Sequence, residues 1–522
     1  MTTACSLSNA STSASGDMQT SSARGLAVSG MRRTRPTAKT LDICSFIGAA
    51  ALAAFYLATS IHIASHRLLY FDELYTVHLA RQPDWVTIWS ALRHAADSLP
   101  PVYYMVVRLF DNLFGRNDVS VRLPSALAFI AGLLITFDCA RRFTDGLHGL
   151  IALSVLTCSF LPYYGYEARS YAIYFMLAAL SLWIWTCTPT DSKLWAILFG
   201  AVLCLGVTFH YYAVLLLVPY GLWELYHWKP WQMPSPKLIA GSVGMVAPAF
   251  VLLRVVLPYA RQFSPGFWAH PTFSELRATF SSFFPDGLFL LALVVIWAVS
   301  VGTKDGKRSY LQPIQSAESV GWLFLCIPLA GFVLAEWKTN AFFPRYFIGA
   351  LPGIAVAFSC CLWRHFRHAY RVSLGVFLIL ATMGVARQVT TAQHPESVDP
   401  NGDQTRARTV LRLEDTVRND GKQFIVFPGG TLYLEAEYYS KHRKEYALLM
   451  GTNEVPGFSK TGLMLNLAPY YPLQFWKLDD LKQHARETAL ISPAPETLDA
   501  LGQAGFKVVV RFSEPLKVVY LQ

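Results

Sequence analysis

The stretch "HRLLYFDELYT", residues 66–76, follows a segment from Leu41 to Ile63 that contains no carboxylate after Asp42. A helix rises ~1.5 Å per residue, so that segment is long enough to cross a hydrocarbon layer ~30 Å thick. Residues 66–76 are then the first part of the chain to leave the membrane. They carry two adjacent acids, Asp72 and Glu73, at the water boundary. This reading fixes the register for everything that follows.

The remaining sequence supports a chain that crosses a membrane many times. Of 522 residues, 53% are hydrophobic and only 15% are charged, and the apolar residues form repeated blocks such as Leu123 to Cys139 and Val372 to Val385. Such blocks approach or reach the ~20 apolar residues needed to cross as helices, which satisfy their own backbone hydrogen bonds in lipid. The formal net charge of +10 does not indicate nucleic acid, since no basic residues cluster around exposed aromatics and most lie in short stretches between apolar blocks. The segment Met1 to Gly30 is rich in Ser, Thr and Gly and lacks the order of a signal peptide. It reads as a disordered tail, or as sequence upstream of a start at Met31. All nine cysteines lie in the tail or within apolar blocks, which argues against a disulfide framework or a Cys-rich metal site.

The basic run Arg32 to Lys39 places the N-terminus in the cytoplasm by the positive-inside rule. Spans are expected near 41–63, 120–139, 147–163, 171–187, 194–210, 211–227, 238–257, 284–302, 320–337, 344–363 and 371–388. The basic loops at 140–143, 193, 227–230, 304–308 and 364–371 then all fall inside. With about 11 spans, the region from 390 onward lies on the opposite side, with Asp72. Its stretches "KQFIVFP" (422–428) and "FKVVVRF" (506–512) read as buried strands, and "APETLDALGQAG" (494–505) as a helix stopped by Gly. Three parts result: a cytoplasmic tail (1–40), a membrane domain (41–389) and a small extracytoplasmic α/β domain (390–522).

The first external loop, about 64–119, carries the amphipathic stretches "WVTIWSAL" (85–92) and "PVYYMVVRLF" (101–110), suited to lie along the interface. It also holds Asp72, Glu73, His94 and Asp97. A carboxylate in a partly dry cleft suits a general base, while a purely structural role would have Asp72 and Glu73 cap an interfacial helix. The second external loop, "YYGYEARSYA" (163–172), presents Glu167 and Arg169 among tyrosines that include Tyr166. It suits phosphate and sugar binding, or else a surface ion pair within an aromatic belt. His210 in "FHYYA" and Arg345 and Tyr346 in "NAFFPRYFIGALPG" reach the same face. His210 is either a hydrogen-bonded structural residue or, with nearby carboxylates, a ligand for a divalent metal ion. Two arginines sharing a face with carboxylates point to a phosphate pocket more than to independent snorkelling.

In sequence order, "FDE" (71–73), "DSLPPVYYMVVRLF" (97–110), "SVRLPSALAFIAGLL" (120–134), "YYGYEARSYAIYFMLAAL" (163–180), "FHYYA" (209–213) and "PRYFIGALPG" (344–353) resemble the polytopic GT-C glycosyltransferases. The resemblance is to the bacterial branch similar to dolichyl-phosphate-mannose protein mannosyltransferases and aminoarabinose transferases, and it covers residues 41 to about 390. It implies an all-α transmembrane bundle in the bacterial inner membrane. It also implies inverting transfer of a sugar from a polyprenyl-phosphate donor to an envelope acceptor: a lipid, a polysaccharide or a protein. Asp72 maps to the base, with Glu73 its neighbour, and Asp97 to acceptor or metal binding. His210 maps to the external His, and Arg169 and Arg345 to the carrier phosphate. Many relatives have His before the Pro pair where this chain has Leu99, which weakens a metal role for this loop unless His94 compensates. A flippase for a lipid-linked sugar is the alternative, but it normally needs a site near the midplane, and few ionisable residues lie at mid-span.

Overall fold

The computed structural model describes residues 38–229, 233–263, 269–283, 316–367, 369–398, 403–450, 460–514 and 516–522. The span expected at 284–302, the basic loop at 304–308 and the tail through residue 37, Met31 included, lie outside these residues. The first part of the chain is helical: α1 (Ala38–His66), α2 (Phe71–Ala80), α3 (Trp85–Arg93), α4 (Val102–Phe114), α5 (Leu123–Phe143), α6 (Gly146–Thr157), α7 (Tyr171–Cys187), α8 (Lys193–Phe209), α9 (Leu217–Tyr226) and α10 (Pro236–Phe263). Among the described residues, six helical segments are long and apolar enough to cross a membrane: Asp42–His66, Leu123–Phe143, Pro236–Phe263, Ser316–Thr339, Pro344–Phe366 and Tyr370–Gln393. Gly146–Thr157, Tyr171–Cys187 and Lys193–Phe209 are apolar but shorter. Each of the nine coincides with an expected span; the count of about eleven goes beyond what these lengths establish.

Lipid tails are as apolar as Leu, so membrane helices associate through close packing and small residues more than through the hydrophobic effect. The α8–α10 pair shows this. Gly200 and Gly244 let the two backbones touch, and a Cβ on Gly244 would collide with the Gly200 carbonyl. Between α1 and α5, the helices α2, α3 and α4 form the expected loop structure. On α4, Tyr103, Tyr104, Val107 and Asp111 are buried while Met105, Leu109, Leu113 and Phe114 are exposed, the division of an interfacial helix.

After Gln393 the chain builds a six-stranded sheet in the order β3-β2-β1-β4-β6-β5. The strands are β1 (Phe424–Phe427), β2 (Tyr446–Leu449), β3 (Phe475–Trp476), β4 (Thr488–Ile491), β5 (Val508–Phe512) and β6 (Val518–Leu521). The first four run parallel, and β6 and β5 are added antiparallel. The helix expected over 494–505 forms at Pro495–Gln503, and Gly505 stops it at φ 90°, a conformation that favours glycine. The strand expected at 506–512 is present but is not buried. It is the sheet edge, with Val509 37% and Val510 51% exposed, because its apolar run is covered on one side only.

Candidate active site

The turn Arg67–Tyr70 ends α1 and starts α2, and Glu73 holds it. One Glu73 oxygen, Oε2, accepts from Arg67 Nη2 (2.9 Å), Arg122 Nη2 (2.6 Å) and the Tyr70 amide (3.1 Å). The other, Oε1, accepts from Arg122 Nε and the Ala168 amide, both at 2.7 Å. Burial acts to raise the Glu73 pKa, but Arg122 and Arg67 outweigh it and hold the carboxyl at about 2. Glu73 therefore caps its own helix and ties α1, α2, α5 and the 163–170 loop together, with both oxygens committed.

Asp72 sits one residue earlier, about 100° around the helix, and faces elsewhere. Its Oδ2 lies 3.2 Å from Arg345 Nη1 and 3.3 Å from the Tyr70 hydroxyl, and a quarter of the side chain is open to solvent. Arg345 comes from the turn before the helix Leu351–Phe366, over the rings of Phe343 (5.0 Å) and Tyr171 (5.5 Å). The same Tyr70 hydroxyl bonds Glu167 Oε1. Glu167 is fully buried, and burial pushes its carboxyl up to about 7 although Arg345 and Tyr70 pull the other way.

Arg169 packs under α2. Its Nη1 donates to Asp97 Oδ2 (2.7 Å), the Asp72 carbonyl (3.1 Å) and Thr76 Oγ1 (3.3 Å). Asp97 also accepts from the Tyr104 hydroxyl at 2.8 Å. Tyr346 stacks on Tyr212 (4.9 Å) beside His210, which itself lies flat on Tyr174 at 5.0 Å and 2°.

The structure therefore gathers Asp72, Asp97, Glu167, Arg169, Arg345, Tyr346 and His210 at one end of the bundle, from positions up to 274 residues apart in sequence. Tyr166 and His94 stand apart. Tyr166 lies on the far side of Glu73, against Arg67, Ile63 and Ala64. His94 bonds Tyr470 of the sheet domain through Nδ1.

The family model for dolichyl-phosphate-mannose-protein mannosyltransferase matches residues 98–253. Undecaprenyl phosphate-alpha-4-amino-4-deoxy-L-arabinose arabinosyl transferase 1 of Pseudomonas fluorescens is 23% identical over 363 residues, 65% of this chain. The chain spans 62% of the length of that relative. Among solved structures, ArnT from Cupriavidus metallidurans in the apo state superposes with a TM-score of 0.58 at 14% identity, over 92% of this chain and 98% of that one. The same protein bound to undecaprenyl phosphate gives 0.57 at 12%, over 91% and 97%. The fold is the one seen in these ArnT structures. Both the membrane bundle and the appended sheet domain fall within the superposed length.

The donor set for a metal ion does not assemble: among the described residues no three His, Cys, Asp or Glu side chains group closely enough to hold one. His94 and His210 lie apart: His94 bonds Tyr470 through Nδ1, while His210 stacks on Tyr174 and keeps a buried Nδ1 without a hydrogen-bond partner among the described residues. The role of Arg67 and Arg122 was not visible in the sequence. The one signal was "SVRLP", where an Arg precedes the Pro that opens a spanning helix, and that pattern alone does not separate an Arg snorkelling to the interface from one paired with a buried carboxylate.

Proposed function

We propose that this chain is an inverting glycosyltransferase that moves a sugar from a polyprenyl-phosphate donor to an envelope acceptor at the outer face of the bacterial inner membrane. The observation that carries this reading is the Asp72–Arg345 pair, a partly open carboxylate held 3.2 Å from a guanidinium at one end of the bundle. The fold supports it, as does the neighbouring ArnT structure, which is described as bound to undecaprenyl phosphate. The N-terminus is cytoplasmic and the sheet domain extracytoplasmic in this reading, which the alternation of basic loops supports.

Arg345 is the phosphate ligand. A guanidinium binds a phosphate with two parallel hydrogen bonds, so an arriving donor competes with Asp72 for it. Once Arg345 turns to the phosphate, Asp72 loses its counter-charge and becomes a better base. The acceptor O–H or N–H then gives its proton to Asp72 as the acceptor atom bonds to the anomeric carbon. The bond from that carbon to the phosphate oxygen breaks, and its electron pair leaves with the phosphate. Phosphate is already a competent leaving group, so the protein positions, deprotonates and stabilises charge. Arg169, committed to Asp97 and the Asp72 carbonyl, braces the helix and lends positive potential to the carrier phosphate; Asp97 and Tyr346 frame the acceptor and sugar.

A flippase would need its charged site near the membrane midplane, whereas the ionisable cluster here gathers at one end. Purified protein in lipid should transfer sugar from a polyprenyl-phosphate donor to envelope extract, read by mass spectrometry. Donor translocation across vesicles without a new glycosidic product would reverse the assignment.

A further inference from the structure

A tyrosine hydroxyl has one proton to donate and can accept one in return. Tyr70 places that single group between two carboxylates, Asp72 Oδ2 at 3.3 Å and Glu167 Oε1. Both carboxylates cannot receive the Tyr70 proton at once, so the three groups share protons as a unit. Glu167 also has a buried second oxygen, Oε2, with no hydrogen-bond partner. A carboxylate fully buried with one oxygen unsatisfied is costly as an anion, and protonation removes that cost.

We infer that Tyr70 and Glu167 form a proton relay for Asp72. This deepens the glycosyltransferase reading and rests on it for the identity of the reaction. The acceptor proton moves to Asp72 as the glycosidic bond forms. Asp72 then returns it to the Tyr70 oxygen while the Tyr70 proton passes to Glu167. Asp72 and Tyr70 end as they began, and Glu167 ends protonated; after the product leaves, its proton returns through Tyr70 to Asp72, the one of the three that is partly open, and from there to water. No oxidant or co-reactant is needed.

The surroundings of Glu167 suit this task. It is faced by Arg345, Glu73, Arg67, Tyr70 and the tyrosines of the 163–171 loop. Glu73 is saturated by Arg67 and Arg122, so it neither takes nor gives the proton. Burial, partly offset by Arg345 and Tyr70, leaves Glu167 near pH 7, where it can both accept and release. Relay activity therefore rises with pH as Glu167 deprotonates.

The test has one readout that needs no substrate and one that does. In pH-difference infrared spectra, the solubilised wild-type protein should show a carboxylic-acid carbonyl band that titrates near pH 7. Burial also pushes Glu437 of the sheet domain up to about 7, so the spectra are taken in a Glu437→Gln background; there Glu167→Gln should abolish the band, and Tyr70→Phe should shift its frequency. Persistence of the band in Glu167→Gln removes Glu167 as the proton store. In single-turnover transfer, mixtures of light and heavy water should give a curved rate dependence for wild type, the mark of more than one proton in flight. Tyr70→Phe should make it linear, with a rate lower by about 10-fold and donor affinity retained. A curved dependence in Tyr70→Phe overturns the relay. If wild type transfers no sugar, the glycosyltransferase reading fails, while the infrared arm still decides whether Tyr70 and Glu167 share the proton.

Discussion

Glu435 of the sheet domain accepts, through Oε1, a 3.0 Å hydrogen bond from the backbone amide of Phe71 at the first turn of α2. Two residues earlier in the chain, the Leu69 amide donates to the Tyr439 hydroxyl at 2.8 Å, and that hydroxyl donates to Asp118 at 2.6 Å. Both contacts come from one helix, Gly430–Tyr439, and they bracket Tyr70. The domain after residue 393 therefore grips the turn that presents Asp72, and a carboxylate at a helix N-terminus is favoured by the helix dipole.

This grip makes the outer domain part of the active site's support. Glu435→Ala removes the 3.0 Å hydrogen bond from the Phe71 amide, a loss of ~1–3 kcal/mol. The expected result is a lower melting temperature and a lower kcat with little change in donor KM. Glu435→Gln keeps an acceptor oxygen and should recover most of both. Equal losses in the two variants, measured by thermal unfolding and transfer assays, would mean that the negative charge matters and the hydrogen bond does not.

The two arginines should separate by function. Arg345→Ala removes the group proposed to bind phosphate and should weaken donor binding by ~1.5–3 kcal/mol, the scale of hydrogen bonds to a charged group. Arg169→Ala strands Asp97 and releases the Asp72 carbonyl, so its larger effect should be on protein stability. Donor titration by calorimetry beside thermal unfolding distinguishes them. Donor binding that falls more in Arg169→Ala than in Arg345→Ala would exchange the roles.

Glu73 should be a stability residue with a definite pH signature. Its folded pKa of about 2 lies below the ordinary 4.5, so its contribution is fully present above the unfolded value and is lost as pH falls from there toward 2. Glu73→Gln leaves Arg67 and Arg122 buried without their carboxylate, a cost of ~3–5 kcal/mol. Yield and melting temperature of the variant should fall together, and the acid limb of its unfolding curve should flatten between about pH 4.5 and 2. An unchanged acid limb would place the acid sensitivity elsewhere.

Much of this was legible in the sequence because membrane constraints are simple. Apolar length and loop charge located the helices around the described spans, and the interfacial pair α3 and α4 followed from their one-sided patterns. Adjacent residues on a helix point about 100° apart, so "DE" announced two roles without saying which acid took which. That was decided by Arg67 and Arg122, which reach Glu73 from α1 and α5 through contacts no local pattern encodes. Tyr166 and His94 look equivalent to Tyr346 and His210 in one dimension, yet the turn of each loop carries them away from Asp72. The grip of Glu435 on Phe71 joins positions 364 apart and has no sequence signal at all.

The base itself gives the sharpest test. Asp72→Asn is nearly isosteric, cannot take a proton at neutral pH, and leaves the Glu73 network and the Glu435 contact in place. Turnover should fall by ~10²–10⁴-fold, the usual weight of a general base. The same change frees Arg345 from its 3.2 Å ion pair, so donor affinity should hold or rise while the chemistry stops. A helix-capping role for Asp72 predicts the opposite pattern, because Asn is a good cap and the variant would be nearly silent. The two measurements belong together: single-turnover transfer for the chemistry, and equilibrium binding of a polyprenyl-phosphate for the pocket. Loss of binding in parallel with turnover would show that Asp72 shapes the phosphate site. Full turnover would move the base to another acid, and Glu167, already linked to Asp72 through Tyr70, would be the next to replace.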